Sequence, residues 1–279
     1  MSYSAEINRR APALLVFLLD HSTSMAMQLA DGPSKASFLA DVINKTIFTL
    51  ITTCTKADGV RDYFHVSVIS YSGNGARNEL HGNGDGQGAI PISYLASNPL
   101  RVEIRDRRVA EQDGESQTIK VKFPIWIEPK SRGKTAMCSG LNLAREEISL
   151  WCAKRPNCYP PTLLHVTDGH PTDGDPEPIA REIKNCSTED GQTLVLNLHI
   201  DIGNEASVLF PRDEVGLKDK YAKKLFRMSS ELPHALIGRA TTMGYKVGPG
   251  ARGFAYNATL QPIVDFFELG TRPATLSNR

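Results

Sequence analysis

Short, continuously apolar segments alternate along the chain with longer segments in which apolar residues recur at helical spacing. The first apolar segment, Leu14 to Leu19, has no polar interruption, which is typical of a strand buried on both faces of a parallel sheet. A helix is predicted from Ser34 to about Thr55, because apolar residues there recur every three or four positions and Ser34 suits an N-cap. Further strands are predicted from Tyr63 to Tyr71 and from Thr162 to Thr167.

The second half of the chain continues this alternation. Its predicted elements are a helix from Met137, a helix from Glu177 to about Cys186, a strand from Leu194 to Asp201 with alternate residues facing inward, a helix from Lys218 to Met228 and a terminal helix from Leu260 to Glu268. Strands that alternate with helices predict an α/β fold with a doubly wound, mostly parallel central sheet flanked by helices, which is a Rossmann-like arrangement.

A β-rich insertion interrupts this pattern at about residues 72 to 130. It begins with a glycine-rich loop from Ser72 to Gly88 and continues with β-like segments at Ile90 to Leu95, Arg101 to Val109 and Thr118 to Ile127. The last two alternate apolar and polar residues, so they predict a hairpin or edge meander with one exposed face. We therefore expect a single domain over residues 12–270, with this insertion and a C-terminal extension from about residue 203.

Charge and composition exclude several classes of partner. The chain has 32 Lys and Arg against 31 Asp and Glu, so no overall field favours nucleic acid or an anionic membrane. The apolar segment that ends before Asp20 is far shorter than the roughly 20 residues of a spanning helix. Arg9 and Arg10 precede it, but no small-residue cleavage site follows, so neither secretion nor a membrane span is expected.

The number and spacing of the cysteines also bear on where the protein is located. Five cysteines without a close CxxC pair indicate free thiols in a reducing compartment, although Cys152 and Cys158 lie close enough in sequence to pair. We expect a cytoplasmic protein.

Candidate chemistry gathers where the predicted strands end. Asp20, Ser22 and Ser24 follow the first strand, Thr135 precedes the Met137 helix, and Asp168 follows the strand that ends at Thr167. Carboxyl ends of parallel strands share one edge of the sheet, so these oxygen-bearing side chains are expected to converge. Mg²⁺ prefers oxygen ligands and keeps several waters, which makes it the expected ion, with Mn²⁺ or Ca²⁺ as alternatives.

Ordinary structural roles remain open for the same residues. Asp20, Ser22 and Ser24 could cap a helix, Thr135 could cap the Met137 helix, and Asp168 could be a turn aspartate. His21 lies beside the predicted metal site, but imidazole is softer than this site requires, so a role at the rim is favoured.

Three motifs together resemble the metal-ion-dependent adhesion site (MIDAS) of von Willebrand factor A (vWA) domains. They are Asp-x-Ser-x-Ser at Asp20 to Ser24, the loop from Ser131 to Thr135, and Thr-Asp-Gly at Thr167 to Gly169. The resemblance covers about residues 12–202, and the stretch Thr167 to Thr172 is similar to the intracellular bacterial branch that includes TerY-like proteins. Thr23 departs from the commoner glycine without changing the ligand types.

This resemblance implies a function. It implies a vWA module that binds Mg²⁺ through Asp20, Ser22, Ser24, Thr135 and Asp168 and uses the ion to bind an Asp or Glu of a partner protein. Members of that branch are encoded beside protein kinases and phosphatases, which implies such partners in a bacterial stress-response or defence system and no catalytic activity. The alternative is a Mg²⁺-dependent phosphatase or other hydrolase with Asp20 as nucleophile, but no general base is placed for it.

Overall fold

The computed structural model describes residues 3–29, 32–80, 88–110, 116–200, 207–258 and 260–271. In these residues the strands are β1 Ala13–Asp20, β2 Thr55–Lys56, β3 Gly59–Val60, β4 Phe64–Ser72, β5 Gly75–Asn78, β6 Ile90–Pro91, β7 Arg101–Ala110, β8 Ser116–Ile125, β9 Thr162–Thr167, β10 Leu194–His199, β11 Val208–Leu209 and β12 Phe254–Tyr256. The helices are α1 Lys35–Cys54, α2 Ile92–Ser97, α3 Met137–Lys154, α4 Glu177–Asn185, α5 Lys220–Met228, α6 His234–Thr242 and α7 Leu260–Thr271.

A largely parallel sheet forms the centre of the molecule. Its strand order is β11-β12-β10-β9-β1-β4-β5, and β6 pairs with β4. The strands from β12 to β4 in this order run parallel, whereas β11, β5 and β6 are antiparallel to their neighbours. The chain leaves β1 for β4 on one side and later returns to β9 on the other. The strand order therefore reverses between β1 and β9, where ligands bind in open α/β sheets. The predicted α/β class with a doubly wound sheet flanked by helices is confirmed.

Helices cover both faces of the sheet, which explains why β1 is continuously apolar. Leu15, Phe17 and Leu19 pack into the apolar cluster that includes residues of α1 and α7. Leu14 and Leu18 point to the opposite face and pack with residues of α3, α4 and α5. Because neither face of β1 meets water, polar residues are absent from it until Asp20 at its end.

The insertion agrees with its prediction only in part. Strands β7 and β8 pair antiparallel along their whole length, from Arg101 opposite Ile125 to Ala110 opposite Ser116, so the predicted hairpin is confirmed. The predicted strand from Ile90 to Leu95 is wrong: β6 is only two residues long, and the chain continues as α2. Ile92 and Leu95 are both buried on α2. They are three residues apart, and this spacing places both on the same face of a helix.

The structure differs from the predictions in three further places. Strand β10 does not alternate between buried and exposed residues, because Asn197 and His199 are also buried, in polar and aromatic contacts. Helix α6 and strand β12 were not predicted. The predicted glycine-rich loop contains β5, while its residues 81–87 lie outside the described residues, as does Asp201.

Two further expectations concern cysteines and membrane spans. All five cysteines are free thiols, including Cys152 and Cys158. None of the described helices is both long enough and apolar enough to cross a membrane.

Candidate functional site

The carboxyl ends of β1 and β9 lie side by side, and the candidate site is built on them. Leu19 of β1 is in register with Val166 of β9, so the segments that follow both strands begin at the same edge. A 3₁₀ turn at Thr23–Ala26 follows β1 and carries Ser24 back over that edge. The sequence thus places Asp20 and Asp168 on neighbouring strand ends, as predicted.

Asp20 is held rigidly at the base of the site. The backbone N–H of Ser22 donates to its Oδ1 at 2.8 Å, and the hydroxyl of Thr167 donates to its Oδ2 at 2.7 Å. Burial raises the pKa of Asp20 to about 6; hydrogen bonds from Ser22 and Thr167 act against this, and the charge of Asp168 adds to it. The two carboxylates therefore repel each other, and a cation between them would relieve that repulsion.

Asp168 is paired with a lysine inside the protein. Lys35 Nζ lies 2.9 Å from Asp168 Oδ2, and both side chains are fully buried. The Ser24 hydroxyl donates to the other oxygen, Oδ1, at 2.6 Å, and lies 3.0 Å from the Ser22 hydroxyl. Since Lys35 offsets one of the two carboxylates, the site as a whole carries one excess negative charge.

Thr135 enters from the loop before α3. Gly133 in this loop has a φ of +79°, and a Cβ on it would lie 2.9 Å from the backbone nitrogen of Gly73. Glycine is thus required by the backbone conformation and by the close approach of the loop after β4. The Gly133 carbonyl also accepts from the backbone N–H of Thr23 at 2.9 Å, which ties this loop to the turn after β1.

The capping alternative for Thr135 has no support. Ala136 is the N-cap of α3 and makes no side-chain cap, while Asp173 accepts from the backbone N–H groups of Cys138 and Ser139 at the start of the helix. Asp173 therefore caps α3 from a distant segment and leaves the Thr135 hydroxyl available for the site.

Oxygens from three segments converge beside Gly169. A Cβ on Gly169 would lie 3.2 Å from Thr135 Oγ1, 3.7 Å from Ser24 Oγ and 3.8 Å from Asp20 Oδ2. Together with the Ser22 and Asp168 contacts to Ser24, this brings all five predicted ligands to one place. The absence of a side chain at residue 169 leaves a small cradle lined by hydroxyl and carboxylate oxygens.

The donor set of this cradle fits a hard cation, Mg²⁺ above all. Hydroxyl and carboxylate oxygens are the ligands that Mg²⁺ takes, and a partly neutralised site suits an ion that keeps several waters. Among the described residues, no group of three or more His, Cys, Asp and Glu side chains could hold a metal ion, so a site here depends on the hydroxyls of Ser22, Ser24 and Thr135.

A second polar cluster lies beside this cradle, around Glu79. Its carboxylate accepts from Lys130 at 2.7 Å and from Arg77 at 2.9 Å, and it also accepts from the Ser70 hydroxyl. Burial alone would raise the pKa of Glu79, but these hydrogen bonds outweigh it and lower the pKa to about 2. His21 Nδ1 lies 3.7 Å from Glu79 Oε1.

Polar side chains also cross the sheet below the site. His165 Nε2 and the Tyr71 hydroxyl are 2.8 Å apart, and His165 Nδ1 lies 2.8 Å from Asn197 Oδ1. Burial lowers the pKa of His165 to about 4, so its ring is neutral near pH 7. As expected from its place in a strand, His165 is packed and hydrogen-bonded.

Sequence reasoning missed Lys35 and Thr167 as parts of the site. Thr167 belonged to the quoted motif, and its position at the end of a buried strand was the available signal. No signal in the sequence pointed to Lys35, because a lysine in the first turn of a helix is ordinarily exposed.

Comparisons with known proteins give no family for the chain. No protein-family model matches it, and no curated protein matches it significantly. Solved structures that resemble it include the PilB minor pilin from Streptococcus sanguinis, with 14% identity over 57% of this chain and 30% of that one, at a TM-score of 0.33. Another is the pilus adhesin SpaC from Lactobacillus rhamnosus GG, with 14% identity over 79% of this chain and 28% of that one, at a TM-score of 0.42. A third contains three N-terminal domains of the type V pili tip protein Mfa5 from Porphyromonas gingivalis, with 13% identity over 84% of this chain and 27% of that one, at a TM-score of 0.35.

These findings correct several expectations. Because no vWA model matches and the similar structures are described as pilus proteins, the assignment to the vWA family and its TerY-like branch is wrong. The role that this assignment implied, a vWA interaction module in a stress-response system, is therefore wrong as well. The expected cytoplasmic location is also wrong, since it is at odds with pilus components.

The same comparisons say little beyond these corrections. None of the three descriptions names an enzyme. This chain spans less than a third of each of those chains, and the TM-scores are all below 0.5, so the likeness carries no argument for a pilus function. Any function has to be argued from the site itself.

Proposed function

We propose that this chain is a non-catalytic binding domain with a divalent-cation site at Asp20, Ser22, Ser24, Thr135 and Asp168, and that Mg²⁺ is the preferred ion. The observation that carries the proposal is the cradle beside Gly169, where oxygens of Thr135, Ser24 and Asp20 lie 3.2 to 3.8 Å from the position that a Cβ on Gly169 would take. Mn²⁺ or Ca²⁺ would use the same oxygens.

The charges around the cradle support a role in binding. Lys35 already offsets the charge of Asp168, so a bound divalent ion would keep net positive charge. Neutral hydroxyls of Ser22, Ser24 and Thr135 would bind the ion directly, with the carboxylates acting through water. Such an ion would accept an external carboxylate, and an Asp or Glu side chain of another protein is one source of it.

No observation favours the hydrolase alternative. The hydroxyls of Ser22 and Ser24 lie 3.0 Å apart, and Ser24 donates to Asp168. In the part of the chain that the structure describes, neither hydroxyl contacts an imidazole that could accept its proton. Asp20 is fully buried and holds two hydrogen bonds, which leaves it poorly placed as a nucleophile.

Calorimetric titration of the metal-free chain with Mg²⁺ tests the proposal. One binding site is expected in the wild type, and Ser24→Ala should weaken it about tenfold or more, since one ligand is lost. Ser187→Ala is the matched control, because Ser187 is an exposed serine after α4, and its Mg²⁺ affinity should equal that of the wild type. Absence of Mg²⁺ binding, or equal binding by Ser24→Ala, would refute the site.

A further inference from the structure

A basic cavity of about 410 Å³ lies next to the cradle but shares none of its five ligands. It is lined by His21, Ser72, Arg77, Lys130, Ser131 and Arg132. Its volume falls in the range of small-ligand pockets, which is about 300 to 1,000 Å³. The cavity is thus large enough for a small polar group and the waters around it.

Positive charge exceeds negative charge in this cavity. Arg77 and Lys130 both pair with the single buried carboxylate of Glu79. Arg132 is exposed and forms no ion pair among the described residues. Three cations therefore face one carboxylate, and the excess of two positive charges matches the charge of a dianion.

His21 forms a buried part of the cavity wall. His21 is 6% exposed, and its Nδ1 makes no hydrogen bond in the described part of the chain. The nearest carboxylate oxygen, at 3.7 Å, is too distant for a hydrogen bond. Because this nitrogen is closed off from solvent and faces Glu79, the imidazole shapes the cavity and donates nothing to a ligand in it.

The cavity also offers hydroxyl and guanidinium donors suited to tetrahedral oxyanions. Ser72 and Ser131 line it, and each can donate one O–H. Arg132 can donate two parallel N–H groups to two oxygens of one phosphate or sulfate. Its backbone N–H donates to the His21 carbonyl at 2.7 Å, which fixes the loop that carries the guanidinium.

We infer that this cavity is an oxyanion-binding site for a phosphate or sulfate monoester group, held by Arg132 and Arg77 with the hydroxyls of Ser72 and Ser131. A planar, singly charged carboxylate satisfies fewer of these donors and binds more weakly. The inference does not rest on the proposed cation site, because it uses different side chains and needs no metal.

Calorimetric titration in EDTA, at constant ionic strength, tests this site with inorganic phosphate, sulfate and acetate as separate probes. Saturable binding of phosphate or sulfate to the wild type is expected, at least about tenfold tighter than that of acetate, because a second charge-assisted contact contributes more than about 1.4 kcal/mol. A preference between phosphate and sulfate would identify which monoester the site takes.

Two arginine variants complete the test. Arg132→Gln should weaken phosphate binding about tenfold or more, and thermal melting should show an unchanged fold because Arg132 is exposed. Arg181→Gln changes an exposed arginine of α4 and should bind phosphate as the wild type does. The inference fails if neither phosphate nor sulfate binds saturably, if acetate binds equally well, or if Arg132→Gln and Arg181→Gln bind alike. Since EDTA is present, none of these outcomes depends on Mg²⁺.

Discussion

At the scale of single residues, Lys35 determines the net charge of the candidate cation site, because it pairs with Asp168. Its ammonium group and the Asp168 carboxylate are both withdrawn from water and lie 2.9 Å apart. Desolvation of such a pair costs several kcal/mol, which the attraction between the two charges must offset. The pair fixes Asp168 in a position where its other oxygen can accept from Ser24.

Replacement of Lys35 alone should therefore destabilise the protein strongly. Lys35→Met leaves Asp168 buried without its counter-charge, so the free energy of unfolding should fall by about 3 kcal/mol. The variant Lys35→Met with Asp168→Asn should recover much of this loss, because no charge is then left unpaired. Urea denaturation of both single variants and the double variant measures the coupling. Additive effects of the two substitutions would contradict a direct buried pair.

The Glu79 cluster predicts a dependence of stability on pH. The folded pKa of Glu79 is about 2, below its ordinary value of 4.5. A lowered carboxyl pKa stabilises the folded state above pH 4.5, and this contribution is lost as pH falls from 4.5 towards 2. Glu79→Gln should therefore be less stable than the wild type at pH 7, by about 2 kcal/mol after allowance for solvent screening, and the difference should shrink below pH 4.5.

Denaturation at a series of pH values checks this, with Glu146→Gln as the control because Glu146 is exposed on α3. The control should follow the wild type at every pH. A difference between wild type and Glu79→Gln that stays constant down to pH 3 would count against the lowered pKa.

The position of a residue in the site could be predicted only where its place in the sequence determines which residues lie beside it. Asp20 and Asp168 could be placed together because both follow strands of a parallel sheet, whose carboxyl ends meet at one edge. Lys35 could not, since the turn that folds it under Asp168 is set by tertiary packing. His21 was expected at the rim, and it lies beside Asp20 but lines a separate cavity.

At the scale of elements, the contact of α3 with the sheet decides how closely the Thr135 loop approaches β1. Gly140 lies on the buried face of α3, and a Cβ there would come within 2.5 Å of Tyr71 Cδ1 and 3.0 Å of Leu18 Cδ1. The helix can therefore approach β1 and β4 this closely only with glycine at residue 140.

Two glycine substitutions test this contact. Gly140→Ala should destabilise the protein by about 1 to 3 kcal/mol, because overpacking outweighs the gain of about 1 kcal/mol in helix propensity. Gly238→Ala in α6 is the matched control: no atom lies within 4 Å of its added Cβ, so it should stabilise by up to about 1 kcal/mol. Thermal or urea unfolding measures both. If Gly140→Ala is as stable as Gly238→Ala, the close approach of α3 is not required.

Helices with a clear period and continuously apolar strands were predicted well, whereas short elements and strand β10, which contains polar residues, were not. Helix α1 begins after Ser34, whose hydroxyl accepts from the Ser37 backbone N–H as an N-cap should. Strand β9 has its predicted ends. The segment from Ile90 to Leu95 misled because two buried apolar residues three apart fit a short helix as well as a strand. The polar residues of β10 suggested an exposed face, but Asn197 is buried, and its side chain forms hydrogen bonds with His165 and Ser229.

At the scale of the whole molecule, the reversal of strand order between β1 and β9 explains where the candidate site lies. Segments that follow the two strands diverge there, which leaves room for Gly169 and the Thr135 loop between them. This placement followed from the alternation of predicted elements. The family did not follow from the motifs, because a few oxygen-bearing residues at strand ends define a kind of chemistry and not an ancestry.

Gly169→Ala separates the cation site from the stability of the fold. An added methyl group would lie 3.2 Å from Thr135 Oγ1 and fill the cradle. Mg²⁺ affinity should fall about tenfold or more, while the free energy of unfolding without metal should change by only about 1 kcal/mol. Calorimetry and urea denaturation measure the two quantities. Wild-type Mg²⁺ affinity in Gly169→Ala would show that the ion does not bind in the cradle.

The most direct measurement of the central claim is the anomalous X-ray signal of Mn²⁺ in crystals of this chain. We expect one peak beside Gly169, within about 2.5 Å of the hydroxyl oxygens of Ser22, Ser24 and Thr135, which is the distance at which such ions bind oxygen. Crystals soaked in Mn²⁺ that show no peak there, or a peak only elsewhere on the molecule, would contradict the account.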